Sequence, residues 1–302
     1  MKLKHICILF VLLAAGIMVL GVQQSWDFLH KNQSGSEIIL RMAVPYTDCH
    51  PSALTAAHFA NLVHTQTDGQ IRIQVYTESQ LGNETDTIEQ LKFGGIAFSI
   101  ACTLSLKEDD VILKKMGGSD QTDPVTLVLP KKEHLVKNKL ETLAIFHPDI
   151  RCIANNKYPL TVPVSQTSET RKQLVIQAHN SEPLMEYLSS LGLSAVQSTE
   201  NDLAGSLNYG YIDGAELTIT EYAASNLSDL LPYLSITEGL WAPDLILASQ
   251  VSMGNLTAEY QNIIRSCAKE AAVYQKSILE EYQKTALETL QSLYLTPEGG
   301  TS

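Results

Sequence analysis

Polar and aromatic side chains recur at the ends of the apolar runs in this 302-residue sequence, where the loops of an α/β protein begin. Loops that follow parallel strands line the crevice at the edge of the sheet, so these side chains are candidates for holding a small molecule. For each of them the alternative is structural, as a turn residue, a strand anchor or part of the core. The candidates are Tyr46, Asp48, Gln80, Thr103, Gln177, Asn180, Glu216, Thr218 and Trp241.

Residue patterns that support catalysis or metal binding do not occur. The sequence has no Gly-x-Ser-x-Gly, no His-Glu-x-x-His and no Gly-rich phosphate loop, and its eight histidines are dispersed. Four cysteines follow the N-terminal region without a Cys-x-x-Cys, which indicates neither a metal site nor another cofactor. Cys49 and Cys102 are predicted at neighbouring strand ends and are a possible disulfide; small buried thiols are the alternative.

The overall charge excludes one class of partner. A net charge of −12 and a pI near 5.1 argue against nucleic acid, whose phosphates require clustered Lys and Arg. With 44% hydrophobic and 18% charged residues, the composition is that of a folded protein long enough for two lobes.

The N-terminus predicts export. Lys2 and Lys4 precede an apolar run over residues 6–22, which is typical of a signal peptide or a short membrane anchor. Cleavage and retention both remain open, so we expect a protein in the periplasm or on the outer face of the cytoplasmic membrane, tethered if residues 1–22 are retained. Residues 23–36 are polar and read as a linker.

The folded region opens with a strand, helix, strand, helix, strand order over residues 38–101, which is the unit of an open parallel sheet with helices on its faces. Pro51 suits the first turn of the first helix and Asp68-Gly69 its end. Asn83 is expected to cap the second helix, and Gly94-Gly95 to end it.

The same order returns over residues 174–216, which predicts a second sheet and a two-lobed α/β architecture with open, mostly parallel sheets. We expect lobe 1 at residues 37–150 and lobe 2 at 151–235. Residues 236–302 are expected to supply crossing strands that return to lobe 1 and a long C-terminal helix with apolar residues every three or four positions.

Several of these strings resemble the solute-binding proteins of TRAP transporters, the DctP family. The resemblance rests on Phe-Ala-Asn-Leu-Val at 59–63, Thr-Asp-Gly-Gln-Ile at 67–71, Ser-Gln-Leu-Gly at 79–82 and Gly-Tyr-Ile-Asp-Gly-Ala-Glu at 210–216. It implies two α/β lobes that close on a small organic solute by hinge motion. It also implies delivery of that solute to membrane permease subunits, without chemistry.

The chain departs from the family pattern at two positions. Gln177 stands where the resemblance implies an Arg that pairs with a substrate carboxylate, and Leu217 stands where it implies an Asn. A simple dicarboxylate is therefore not the expected ligand. The loss also motivates an alternative function, a degenerate member that acts as a sensor or protein-interaction module.

Overall fold

The computed structural model describes residues 37–116, 125–160, 174–179, 181–197, 203–225, 227–237 and 239–294. The predicted signal and linker segments and Asn180 lie outside them. The strands within these ranges are β1 (Ile38–Ala43), β2 (Ile71–Tyr76), β3 (Phe98–Cys102), β4 (Val111–Met116), β5 (Val125–Pro130), β6 (Leu140–Ile145), β7 (Arg151–Asn155), β8 (Val175–Ala178), β9 (Ser194–Gln197), β10 (Gly214–Thr218), β11 (Tyr233–Thr237), β12 (Leu240–Trp241) and β13 (Asp244–Ser249).

The helices in the same ranges connect these strands and cover the sheets. They are α1 (Pro51–Gln66), α2 (Glu84–Phe93), α3 (Lys132–Lys137), α4 (Glu182–Ser190), α5 (Leu203–Asn208), α6 (Ile219–Ala224), α7 (Gln250–Gly254) and α8 (Ala258–Tyr294). No helix in this part of the chain combines the length and the hydropathy needed to cross a bilayer.

Local sequence signals explain how the helices begin and end. Asn83 caps α2 by accepting a hydrogen bond from Asp86 N (2.8 Å), and Gly94 ends it in the left-handed conformation, as predicted. His50 caps α1, because its Nδ1 accepts from Ser52 N (3.1 Å). Ser181 precedes α4 at the expected position, but its side chain makes no capping bond.

Two five-stranded sheets form the body, which confirms the predicted two-lobed α/β architecture. The first has the order β2-β1-β3-β13-β6 and the second β11-β7-β10-β8-β9. The cassette strands pair in parallel as predicted. In the first sheet β13 is antiparallel to both of its neighbours, β3 and β6, and in the second sheet β7 is antiparallel to both β10 and β11. Each sheet is therefore mixed, and the residue limits of the lobes stay a prediction.

A small third sheet, β12-β5-β4, was not anticipated from the sequence. It joins the two lobes through one continuous apolar cluster. Leu106 and Val128 from this side pack in the same cluster as Ile176 and Leu188 from the second lobe. Fully burying side chains of this size stabilises the fold by about 1.5–3 kcal/mol each, which helps hold the lobes in a fixed arrangement.

The helix α8 is 37 residues long and spans both lobes, as the predicted C-terminal helix requires. Near its start, Ile264 and Ala268 are buried in the core of the first sheet together with Phe59. Further along, Ala286 and Leu290 are buried against the second sheet. One helix therefore connects the two cores on the side where residues 146–150 cross between them.

Candidate functional site

A cavity lies between the two sheets, where the carboxyl ends of their parallel strands face each other. Its volume is about 20 Å³, enough for about one water molecule, so a larger solute requires the lobes to separate. Both lobes and the long helix contribute to its wall. The lining residues are Tyr46, His50, Ser52, Cys102, His147, Asp149, Arg151, His179, Thr218, Glu221, Ala242, Asp244, Gln275 and Leu279.

On the first lobe, Asp244 is the central acceptor of the wall. Its carboxylate accepts hydrogen bonds from Tyr46 Oη (2.9 Å) and Ser52 Oγ (2.6 Å). Burial raises the pKa of Asp244, and although the Ser52 hydrogen bond lowers it, the charge of Glu84 adds to the rise; the pKa reaches about 7. Near neutral pH this carboxyl group can therefore accept or donate a hydrogen bond.

Tyr46 and His50 form a stacked pair beside Asp244, with ring centroids 3.9 Å apart. Burial and the neighbouring Asp244 raise the pKa of Tyr46 well above its ordinary value, so its hydroxyl stays protonated. Burial lowers the pKa of His50. Its Nδ1 accepts from Ser52 N, which leaves the Nε2 proton for Thr220 Oγ1 at 3.3 Å.

Thr220 extends this hydrogen-bond network, because its hydroxyl donates to Asp149 Oδ2. Asp149 also accepts from Gln283 Nε2 of α8 (2.8 Å). His50 belongs to the first lobe and Thr220 to the second, so the chain of bonds from His50 to Asp149 and Gln283 ties both lobes to the long helix at the back of the cavity.

On the second lobe, Arg151 is the buried cation of the wall. It forms a two-pronged ion pair with Glu216, with Nη2 to Oε2 at 2.7 Å and Nε donating to Oε1. Both residues are at most 4% exposed. Burial alone would lower the pKa of Arg151, but Glu216 raises it, so the guanidinium stays charged.

A second ion pair crosses from lobe to lobe. His179, which follows β8, places its Nε2 3.7 Å from Glu84 Oε2 at the start of α2. Burial lowers the pKa of His179, but the hydrogen bond and charge of Glu84 outweigh it and raise the pKa to about 9. The ring is therefore an imidazolium at neutral pH. Glu84 also accepts from Cys102 N (2.7 Å) and from the Ser105 hydroxyl.

The structure brings together only part of the residues predicted from strand ends. Tyr46 and Thr218 line the cavity, and Glu216 lies behind the wall as the partner of Arg151. Thr103 is buried beside Cys102, and its Oγ1 has no hydrogen-bond partner among the described residues. Their roles in ligand binding stay predictions.

The remaining predicted residues lie away from the cavity. Asp48 and Gln80 are exposed in loops. Trp241 belongs to β12, which pairs with β5 in the third sheet, and it does not line the cavity. Gln177 lies inside β8, paired with both β10 and β9, and the wall uses His179, two residues further along.

The cysteine pair is not bridged. Cys49 is an exposed free thiol with its Sγ 3.4 Å from Thr47 Oγ1. Cys102 is buried, and its thiol donates to Ala242 O at 3.7 Å. The two thiols point into different environments, solvent and core, although both residues follow or end strands of the same cassette.

Sequence reasoning missed Arg151, His179, Asp244 and Glu84. A signal for two of them exists in retrospect. Arg151 and Asp244 are the first residues of antiparallel strands, and such strands begin at the edge where their parallel neighbours end. The strand registers place both residues at that edge, because Arg151 lies opposite Thr218 at the end of β10 and Asp244 lies opposite Cys102 at the end of β3.

Comparison with known proteins agrees with this architecture. A solute-binding protein of Chromohalobacter salexigens is 25% identical over 77% of this chain and 70% of its own length. The C4-dicarboxylate-binding protein DctB of Bacillus subtilis is 21% identical over 84% of this chain and 74% of its own.

Solved structures show the same fold. A TRAP periplasmic solute-binding protein from Chromohalobacter salexigens, with bound D-glucuronate, has a TM-score of 0.71 and 21% identity over 84% of this chain and 86% of its own. The sugar acid binding protein DctPAm of Advenella mimigardefordensis, in complex with galactonate, has a TM-score of 0.72 and 17% identity over 85% and 84%.

The family model of DctP, described as bacterial extracellular solute-binding protein, family 7, matches residues 43–109 and 131–296, which is most of the described structure. Nothing in these comparisons favours a sensor or an enzyme. The chain therefore belongs to the DctP family of bacterial extracellular solute-binding proteins, and its function is the binding of a solute.

Proposed function

We propose that this protein captures a small sugar acid between its lobes, outside the cytoplasmic membrane, and delivers it to the permease subunits of a TRAP transporter. The observation that supports the ligand class most directly is the wall of the cavity between the lobes. It combines two cations with several carboxylates that can accept hydrogen bonds.

The cations suit one anionic group on the solute. Arg151 and the imidazolium of His179 both line the cavity on the second lobe. Each is already paired, with Glu216 and Glu84 respectively, so a solute carboxylate shares these cations rather than meeting them free. A single carboxylate fits this arrangement better than two.

The acceptors suit hydroxyl groups. Asp244, Glu221 and Asp149 also line the cavity, so its wall carries more carboxylates than cations. Hydroxyls donate well to carboxylates, and such charge-assisted hydrogen bonds contribute about 1.5–3 kcal/mol each. A solute with one carboxylate and several hydroxyls therefore matches the wall, which agrees with the glucuronate and galactonate bound by the similar structures.

Capture requires motion, because the cavity as it stands holds about one water molecule. Two contacts that cross between the lobes at the cavity, His179 to Glu84 and His50 to Thr220, are polar, so a polar solute can take the place of either partner. A solute that enters would replace part of these contacts when the lobes close again.

A thermal-stability screen tests the ligand class. Glucuronate, galacturonate and galactonate are expected to raise Tm, while glucose and galactose, which lack the carboxylate, are expected to do so far less. A ligand at a hundred times its Kd adds about 2.7 kcal/mol of stability. A shift with succinate or with amino sugars but not with sugar acids would overturn the proposed class.

Delivery needs a separate test. The protein, added to proteoliposomes that contain TRAP permease subunits, is expected to be required for uptake of the ligand found in the screen. His179→Gln is the matched variant, since it keeps a hydrogen-bonding group beside Glu84 but removes the charge. If uptake proceeds equally without the protein, the delivery role is wrong.

A further inference from the structure

A groove separate from the cavity runs along β6, the outer strand of the first sheet. Its volume is about 500 Å³. It is bounded by β6, by α3 and by the helix α8. All of β6 lines it, together with Lys132 and Val136 of α3 and Lys269 of α8.

The groove follows the edge of the strand rather than either face of the sheet. Alternate side chains of a strand point to opposite faces, yet all six residues of β6 line this groove. Only a groove along the strand edge contacts all of them. Among the described strands β6 pairs with β13 alone, so its other edge presents backbone N–H and C=O groups to the groove.

The side chains around the groove define what fits there. Val136 and Ile145 are exposed apolar residues on its wall, each 45% exposed. β6 carries neither Lys nor Pro, two of the residues that commonly protect strand edges from pairing.

The charges of the groove are positive in a chain whose net charge is −12. Lys132 and Lys269 line it and are exposed, and neither forms an ion pair with another described residue. Glu141 also lines it, but Arg265 neutralises it through two hydrogen bonds of 2.7 and 3.0 Å. An acidic partner therefore meets two available cations.

We propose that this groove binds an extended acidic segment of a partner protein, which adds to the first sheet beside β6 as a further strand. Backbone hydrogen bonds to β6 supply the affinity, and carboxylates of the segment pair with Lys132 and Lys269. Apolar side chains of the same segment pack on Val136 and Ile145. This surface is independent of the solute cavity.

A synthetic peptide of alternating Val and Glu, seven residues long and fluorescein-labelled, is the probe. It is expected to bind the purified protein with saturation in fluorescence anisotropy. The same peptide with all of its backbone amides N-methylated has no N–H donor on either edge, so it cannot pair with β6 and is expected to bind at least about tenfold more weakly. A peptide of alternating Val and Lys is expected to bind no better than the N-methylated one.

Matched variants locate the site. Lys132→Glu/Lys269→Glu is expected to weaken the acidic peptide by at least about tenfold. Lys114→Glu/Lys115→Glu, which makes the same charge change on β4 of the third sheet, is expected to change it by less than about threefold. Circular dichroism checks that both variants fold, and the N-methylated peptide tests the wild-type protein without any substitution.

Three outcomes would overturn the proposal. The acidic peptide fails to saturate up to about 1 mM, which means that the lysines only protect the edge. The N-methylated peptide binds as well as its parent, which means that no strand is added. Sedimentation without peptide shows a dimer that Lys132→Glu/Lys269→Glu dissolves, which assigns the groove to a second copy of the chain.

Discussion

The two lobes share one pattern of strand directions but contribute different charged groups at the cavity. The first lobe contributes the carboxylates Asp244, in the cavity wall, and Glu84, beside it. The second lobe contributes a carboxylate, Glu221, together with the cations Arg151 and His179. The cations differ in their partners. Arg151 is paired within its own lobe, whereas His179 is paired across the gap. The Arg151–Glu216 pair therefore stabilises the fold of one lobe, whereas the His179–Glu84 pair stabilises the closed arrangement of the two lobes.

The pair that belongs to the fold has the largest expected effect when broken. Arg151→Met leaves Glu216 charged, buried and unpaired, and is expected to lower the free energy of unfolding by about 3–5 kcal/mol. Urea denaturation measures it. Arg265→Met is the control, because its pair with Glu141 is partly exposed and is expected to contribute at most about 1 kcal/mol.

The double variant Arg151→Met/Glu216→Leu sharpens the interpretation. It removes both charges, so most of the stability is expected to return, while binding of a sugar acid is not. If Arg151→Met alone is no less stable than the Arg265→Met control, the pair is not the structural element that the geometry indicates.

The second largest effect concerns the strand that carries Glu216. A Cβ added at Gly214 would lie 2.2 Å from Ala154 O and 2.9 Å from the Cα of Asn155, both of which are backbone atoms of β7. Gly214→Ala is therefore expected to cost about 1–3 kcal/mol or more, read from the urea midpoint. Gly254→Ala, where a Cβ meets no atom within 4 Å, is the control.

Local signals made much of the fold predictable. The parallel cassettes, the Asn83 cap and the long C-terminal helix each follow from residues close in sequence. The third sheet could not be predicted in this way, since β5 pairs with β12 more than 100 residues later. A two-residue strand such as β12 also carries no periodicity to read.

The site was harder to predict for the same reason. Tyr46 and Thr218 follow the cassette pattern, but Arg151 and Asp244 enter the wall through antiparallel strands whose partners are far away in sequence. Glu84 reads as an ordinary first-turn residue of a helix. Its pairing with His179 depends on how the lobes face each other, which no local pattern encodes.

The third prediction uses pH to separate the two sides of the cavity. The folded-state pKa of Asp244 is raised to about 7, so its contribution to stability is complete below its ordinary value of 3.8 and is lost as pH rises towards 7. The pKa of His179 is raised to about 9, so its contribution is complete below 6.5 and is lost between there and about pH 9.

Stability curves of wild type, Asp244→Asn and His179→Gln against pH measure these windows. The free energy of unfolding of wild type minus that of Asp244→Asn is expected to fall as pH rises from about 4 to 7. The corresponding difference for His179→Gln is expected to fall as pH rises from about 6.5 to 9. One proton limits each slope to about 1.4 kcal/mol per pH unit. Differences that are flat across both windows would contradict the buried environment of Asp244 and the ion pair of His179 with Glu84.

The smallest expected effect distinguishes two neighbouring positions of the second lobe. His179 lines the cavity and Gln177 does not, although the two residues lie only two positions apart in the chain. His179→Gln is expected to weaken binding of a sugar acid by about tenfold, the loss of one charge-assisted contact, and Gln177→Ala by less than about threefold. Isothermal titration with the ligand from the thermal screen measures both, each compared with wild type at the same pH. A larger loss of affinity for Gln177→Ala than for His179→Gln would assign anion binding to Gln177, where the family resemblance places it. It would also mean that the lobes close on the solute in an alignment other than the one that joins His179 to Glu84.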